Sequence, residues 1–371
     1  MATDRPFFPV SRPTLFGNEL LYVTEAVQSG WISSLGPFVT RLEAEFAAFC
    51  GTEHGIAVSN GTVALHLALV AAGVGKGDEV IVPDLSFIAT ANSVLMAGAE
   101  PIFCDVDPVT LCMSPEAAEA SITPRTKAIM PVHLYGHPAE MGALMTIAEQ
   151  HGLVVIEDAA EAHGAKLNDK RVGGLGHCGA FSFYGNKNMT TGEGGMIVTN
   201  DSELAERCRR LRDHAMAPGR RYWHEEMGYN YRMTNMQAAI GCAQFEQLEG
   251  FLDKRRELFN GYAERLKGLA GVMLNRTKLG ATNAYWMVCL EIEGICRDQR
   301  DALIHRLHSE GVDCRPYFYP MSSMPYLRDA DTPIAHSVSA KGLNLPTAVD
   351  YDSASLDQIC EIVARTIREG Y

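Results

Sequence analysis

One lysine stands in the stretch FSFYGNKNMTTGEGGMIVTN, residues 181–200, between two apolar runs. Lys187 is followed by Gly192, Gly194 and Gly195, residues suited to a tight turn and to close approach of another backbone. A lysine in such a turn is partly shielded from water, which lowers its pKa and frees a nucleophilic amine. Taken alone, it reads more readily as a surface lysine in a hairpin, which is what most such lysines are. Other stretches give the amine company. In VVIEDAAEAHG an apolar run ends in Glu157 and Asp158, and ligands of open α/β sheets gather at the carboxyl ends of strands. A carboxylate there holds a cationic ring nitrogen, or simply caps the next helix. In SNGTVALHLAL, Gly61 and Thr62 follow Asn60 at a helix start. Free N–H groups and the positive dipole end seat a phosphate there, although capping alone accounts for the same residues. Phe87, in VPDLSFIATAN, offers a flat apolar surface, and Ser182 adds a hydroxyl five residues before Lys187. Pyridoxal phosphate asks for all of these together: an amine for its aldehyde, a carboxylate for its pyridinium, a phosphate seat and an apolar face for its ring. The conjunction is more specific than any part.

Two other motifs point elsewhere. Gly174 to Gly179, GLGHCG, matches the dinucleotide pattern Gly-x-Gly-x-x-Gly. That fingerprint needs a strand before it and a helix opening on it. Here the polar KLNDKRVG precedes it and the strand-like AFSFY follows, so it reads as a glycine-rich loop. His133 and His137 in HLYGH are four apart, but a Tyr-Gly turn separates them and no third ligand stands out, so no metal site is expected.

The chain has 371 residues, enough for two domains, and a net charge of -13 that disfavours nucleic acid as partner. Its ten cysteines are scattered without a Cys-x-x-Cys pair, which points to a reducing compartment. The stretch MATDRPFFPVSRPTLFGNE has no apolar core of a signal peptide, and no run approaches a membrane span. A cytoplasmic protein is expected.

The elements that must carry the candidate residues alternate. Residues 17–30, 39–51, 61–74 and 139–152 have helical periodicity, with Asn60 as a cap. Residues 78–83, 100–106, 127–133 and 152–158 are short runs rich in Val and Ile. This alternation predicts a mostly parallel sheet covered on both faces. Residues 201–216 read as a helix opening on Asp201, and residues 234–268 as one long helix bridging two domains. The last hundred residues read as a smaller α+β unit, with a strand at 284–292 and a helix at 301–311. The expected division lies near residue 250, giving 1–250 with an N-terminal arm and 251–371.

Beside that reading, SNGTVALHLAL, GDEVIVPDLSFIATANSV, VIEDAAEAHGA, FSFYGNKNMTTGEGGMI and GYNYRMTNMQAAIG together resemble the nucleotide-sugar aminotransferases of the DegT/DnrJ/EryC1/StrS family. The resemblance runs over nearly the whole chain. It implies fold type I of the pyridoxal-phosphate enzymes, the aspartate-aminotransferase fold, and a homodimer with shared active sites. WISSLG, TKAIMPVHLYGH, the GNK triplet, RRYWHEEMGYNYRMTN and GLNLPT look most like members that aminate GDP-4-keto-6-deoxymannose at C4, with L-glutamate as donor, in O-antigen biosynthesis. The resemblance makes Lys187 the cofactor anchor and proton shuttle and Asp158 the partner of the pyridinium. It gives Gly61, Thr62 and Ser182 to the phosphate, Phe87 to the ring face, and Glu161 to the ring hydroxyl, where relatives often have Gln or His. Asn230 would reach the phosphate in the neighbouring subunit. Trp31 and Ser33 lie in a loop expected to approach the site, with plain packing an equal reading for Trp31. In FYPMSSMP, residues 318–325, Ser322 stands where similar enzymes have histidine near the sugar nucleotide, and Arg315 and Tyr317 are further candidate contacts. Sugar dehydratases of the family replace the lysine with histidine, so Lys187 argues against that rival. The intact set of Lys187, Asp158, Ser182 and Asn230 argues against a non-catalytic sensor.

Overall fold

The computed structural model describes residues 6–370; the first five residues of the expected N-terminal arm, and Tyr371, lie outside the described residues. The central sheet has seven strands in the order His54–Val58, Gly195–Thr199, Cys178–Ser182, Val154–Asp158, Thr126–Ile129, Glu79–Pro83 and Glu100–Cys104. Neighbours pair in parallel, except that Gly195–Thr199 runs antiparallel to both strands beside it. Ile81, Val82, Val155, Ile156 and Ile197 are fully buried. Such unbroken Val and Ile runs are what a sheet covered on both faces requires. The α/β class read from the sequence is the class observed.

Local chemistry sets the helix starts. The Asn60 side chain accepts from the Val63 N–H at 3.0 Å and opens Gly61–Ala71. Asp201 accepts from Glu203 and Leu204 and opens Ser202–Arg212. The segment read as one helix over 234–268 is two helices, Asn235–Phe245 and Leu248–Arg265. The break falls at Gln247, whose φ of -108° leaves the helical range. Its amide and that of Gln244 both donate to Glu19, at the start of the helix Glu19–Ser29. No Pro or Gly stands at the break, and these long-range bonds flank it.

A second sheet joins Val272–Leu274, Val288–Ile292, Gly342–Leu345 and Arg315–Pro316, all antiparallel. The helices Arg297–Ser309 and Ser353–Glu369 cover it through Leu303, Leu307, Ile359 and Val363. The helix Leu248–Arg265 belongs to both layers. Leu248 and Leu252 pack in the core beside the large sheet, and Leu258 and Tyr262 in the core of the small one. The N-terminal arm crosses to the small sheet's side. Phe8 N–H donates to Gly311 O, Thr347 N–H donates to Val10 O, each at 2.7 Å, and Arg12 pairs with Asp350.

Candidate active site

Strand Val154–Asp158 ends in two buried carboxylates, and strand geometry sends them to opposite faces. Glu157 is met by four donors. Gly173 N–H reaches one oxygen and Leu175 and Gly176 N–H the other, each at 2.7 Å, and His133 Nε2–H donates at 2.8 Å. His133 Nδ1 accepts from Ala139 N–H, which fixes the proton on Nε2. The glycine-rich loop is therefore an anion nest whose anion is the chain's own glutamate. His137 is used as well: its Nδ1 contacts Pro138 O at 2.8 Å and its Nε2 accepts from Lys278 N–H. Burial pushes its pKa down to about 4.

Asp158 faces a cavity of about 530 Å³. Among the described residues it accepts from Thr90 Oγ1, at 2.8 Å, and from Ala160 N–H, at 3.2 Å. Burial raises its pKa, and these two donors and the nearby Lys187 pull the other way. Lys187 enters the same cavity from its turn, where its own N–H closes on Tyr184 O at 3.0 Å. Burial lowers its pKa against the opposing pull of Glu161 and Asp158. Its Nζ lies 3.7 Å from Glu161 Oε1 and 3.7 Å from the centre of the Trp286 ring. Glu161 is pushed up to about 7, chiefly by burial, with Lys187 and the Tyr135 N–H opposing. The amine is thus held, largely buried, between a carboxyl group and an aromatic face.

Gly61, Thr62 and Ser182 line one end of the cavity. A Cβ on Gly61 would lie 2.7 Å from Ser182 Cβ, so only glycine lets the helix start sit this close to the strand. Gly195 is constrained in the same way: a Cβ there would meet the backbone of Asn60 at 2.7 Å. Phe87 stands at the mouth, 54% exposed, with its ring 5.8 Å from that of Phe318. The cavity therefore brings together Lys187, Asp158, Glu161, Gly61, Thr62, Ser182 and Phe87. Its donor set fits a flat ligand with an anionic end at the helix start, a basic ring nitrogen at Asp158 and a carbonyl at Lys187.

Other candidates lie outside this lining. Asn230 accepts from Arg232 at 3.1 and 2.9 Å. Trp31 is 52% exposed, and the Trp31 and Ser33 carbonyls accept from Asn235. Arg315 pairs with Asp313 at 3.0 Å. Tyr317 is buried against Tyr135, with ring centres 5.2 Å apart. Ser322 is buried too, because its hydroxyl donates to Asp84 at 2.7 Å. In this chain Tyr317 and Ser322 serve packing between layers and do not face the cavity.

Four residues of the site were not anticipated. Thr90, in the first turn of Ala89–Met96, holds Asp158. Tyr135, at φ +53°, gives its N–H to Glu161 at 2.9 Å. Its ring stacks on Phe318 at 5.3 Å and on Trp286 at 6.3 Å. Trp286 and Phe318 come from distant parts of the chain, and no local pattern marks them.

The chain matches the family model described as DegT/DnrJ/EryC1/StrS aminotransferase family over residues 14–364. It is 47% identical to GDP-perosamine synthase of Caulobacter vibrioides, with 96% of this chain and 97% of that one covered. It is 43% identical to the Escherichia coli O157:H7 protein of the same name, with 96% and 98% covered. Among solved structures, 3-amino-5-hydroxybenzoic acid synthase matches with a TM-score of 0.93 at 33% identity, covering 99% of this chain and 100% of that one. DesI, solved in the presence of its TDP-sugar product, matches at 0.91 and 32%, covering 98% and 93%.

Proposed function

This chain belongs to the DegT/DnrJ/EryC1/StrS aminotransferase family and is a sugar aminotransferase, and we propose that it moves an amino group from L-glutamate to C4 of GDP-4-keto-6-deoxymannose, forming GDP-perosamine. The observation that carries the chemistry is the placement of Lys187 and Asp158 in one buried cavity whose far end is a helix N-terminus. The likeness to enzymes named GDP-perosamine synthase supports the choice of sugar.

Pyridoxal phosphate fits the residues present, and when bound it supplies an aldehyde and an electron-withdrawing ring. The Gly61 and Thr62 N–H groups and the Ser182 hydroxyl would bind its phosphate. Asp158, oriented by Thr90 and Ala160, would hold the ring nitrogen protonated. Phe87 would cover the ring, and Glu161 would orient its hydroxyl. Lys187 Nζ would hold the cofactor by its aldehyde and, as a free amine, would move the proton at Cα of the donor and at C4 of the acceptor sugar. Trp286 and Phe318 wall the cavity, Trp286 against the amine and Phe318 against Phe87.

The same reading includes a homodimer with shared sites. The apolar surface of Leu20, Leu21, Trp31 and Ile32 on and after Glu19–Ser29 supports it, as does Asn230 outside its own chain's cavity. A division of the chain near residue 250, a cytoplasmic setting and a role in supplying O-antigen sugars complete it. Among the described residues no helix is long and apolar enough to cross a membrane.

The test is a spectrum of protein loaded with pyridoxal phosphate. Glutamate should remove the band of the lysine-bound cofactor, and GDP-4-keto-6-deoxymannose should restore it. Loss without return keeps the aminotransferase and rejects this sugar. No band at all overturns the role of Lys187.

A further inference from the structure

Asp84 closes the strand Glu79–Pro83 and is fully buried, yet it lies outside the cavity and the chemistry above does not use it. Its side chain gathers donors from one distant segment. Oδ1 accepts from Ser322 N–H at 2.7 Å, and Oδ2 from the Ser322 hydroxyl at 2.7 Å and from the Thr332 hydroxyl. His336 Nε2 approaches to 3.9 Å. The backbones meet as well: Met321 N–H donates to Asp84 O at 2.8 Å, and Leu85 pairs with Pro320. A second carboxylate, Asp105, just past the strand Glu100–Cys104, receives Ile334 and Ala335 N–H at 3.0 and 2.9 Å. Two carboxylates at the ends of neighbouring parallel strands thus grip one segment, residues 318–336.

Phe318 begins that segment and lines the cavity. Its N–H donates to the Tyr135 hydroxyl at 3.0 Å, and its ring meets Phe87 across the mouth. We propose that Asp84, Ser322 and Thr332 form a positioning latch that fixes Phe318 against Phe87 and so sets the width of the mouth for the sugar-nucleotide acceptor. This rests on the acceptor reading above. Asp84 is held by the sheet, whereas Ser322 and Thr332 ride on the segment. Loosening the latch therefore moves Phe318 and leaves Lys187, Asp158 and Phe87 in place. Glutamate is small and reacts next to Lys187; the acceptor is several times larger and must pass the mouth. The latch also gives Ser322 its role: it acts on the sugar through Phe318 and not by contact.

Three variants, Ser322→Ala, Thr332→Val and Asp84→Asn, are compared with Ser322→Thr, which keeps the hydroxyl. Each of the three should raise KM for GDP-4-keto-6-deoxymannose about three- to tenfold, the effect of one lost buried hydrogen bond. The glutamate half-reaction and the Kd for pyridoxal phosphate should stay within about twofold, and Ser322→Thr should behave as wild type. Amide exchange, which needs no acceptor, should quicken in residues 318–332 and not in 181–200. Unchanged exchange, or faster exchange with unchanged KM, overturns the latch. So does a rise in KM confined to Ser322→Ala, which would mean direct contact with sugar. Equal losses with glutamate and acceptor would mean general damage and also reject it. If wild type itself fails with this sugar, the acceptor reading falls, and the exchange data still decide whether the latch exists.

Discussion

Glu157 and Asp158 are neighbours on one strand, both buried, and the molecule treats them in opposite ways. On one face, three backbone N–H groups and a histidine surround Glu157. On the other, Asp158 has a hydroxyl and one backbone N–H, and the rest of its field is an open cavity. A buried charge is tolerable when its partners are built in. Glu157 has its partners in the fold; Asp158 is left short of them, and a cationic ring would complete it. The contrast separates a carboxylate that holds the structure from one that waits for a ligand.

The largest effect should come from the amine opposite Asp158. Lys187→Ala should cut multiple-turnover transamination by about 100- to 10,000-fold or more, the range of a lost acid–base group, while thermal unfolding stays near wild type. Multiple turnover at wild-type rates would remove Lys187 from the mechanism. Next comes the pair itself. Glu157→Gln turns one acceptor oxygen into an NH2 group facing the nest's donors and should destabilise the cofactor-free protein by about 1–3 kcal/mol. Asp158→Asn should leave that stability equal or higher, and weaken pyridoxal phosphate binding about 10- to 1000-fold. Denaturation midpoints and cofactor titrations of the two variants, side by side, test the contrast, and matching profiles would erase it.

The smallest effect sharpens the cavity side. The pKa of Glu161 rises from an ordinary 4.5 to about 7 in the folded chain. Between those values the folded state binds more protons than the unfolded state. The contribution of Glu161 to the stability of the cofactor-free protein should therefore fall as pH rises through that window and level off above it, while buried His137 and His163, whose pKa values are lowered, contribute with the opposite sign. The stability difference between wild type and Glu161→Gln should change by about 1–3 kcal/mol across the window. Parallel melting curves for the variant and wild type across the window would show that Glu161 is not the group responsible.

Local chemistry explains what the sequence made legible. Asn60 and Asp201 announce their helices because a cap is a bond over two or three residues. The Val and Ile runs announce the sheet because burial on both faces leaves no polar positions. Lys187, Asp158, Gly61 and Ser182 could be grouped because one ligand needs all four kinds of atom. The rest depends on distance along the chain. Trp286 reaches Lys187, and Asp84 reaches Ser322 and Thr332, through tertiary packing that no local spacing encodes. Gln247, at the break between the two helices, likewise bonds to the distant Glu19. The glycine-rich loop was legible as a loop but not as the seat of Glu157, because the nest and its anion belong to different segments.

The arm at Phe8 and Val10 has a consequence in time. Its partners, Gly311 and Thr347, are made about three hundred residues after it, as is Phe318 on the cavity wall. At roughly 5–20 residues per second, ribosomal synthesis separates the arm from those partners by on the order of tens of seconds. Through that interval the large sheet can form, but the arm has nowhere to dock and the cavity lacks a side. The cavity is therefore a late product of synthesis relative to the large sheet, completed only when Trp286 and Phe318 reach Lys187 and Phe87.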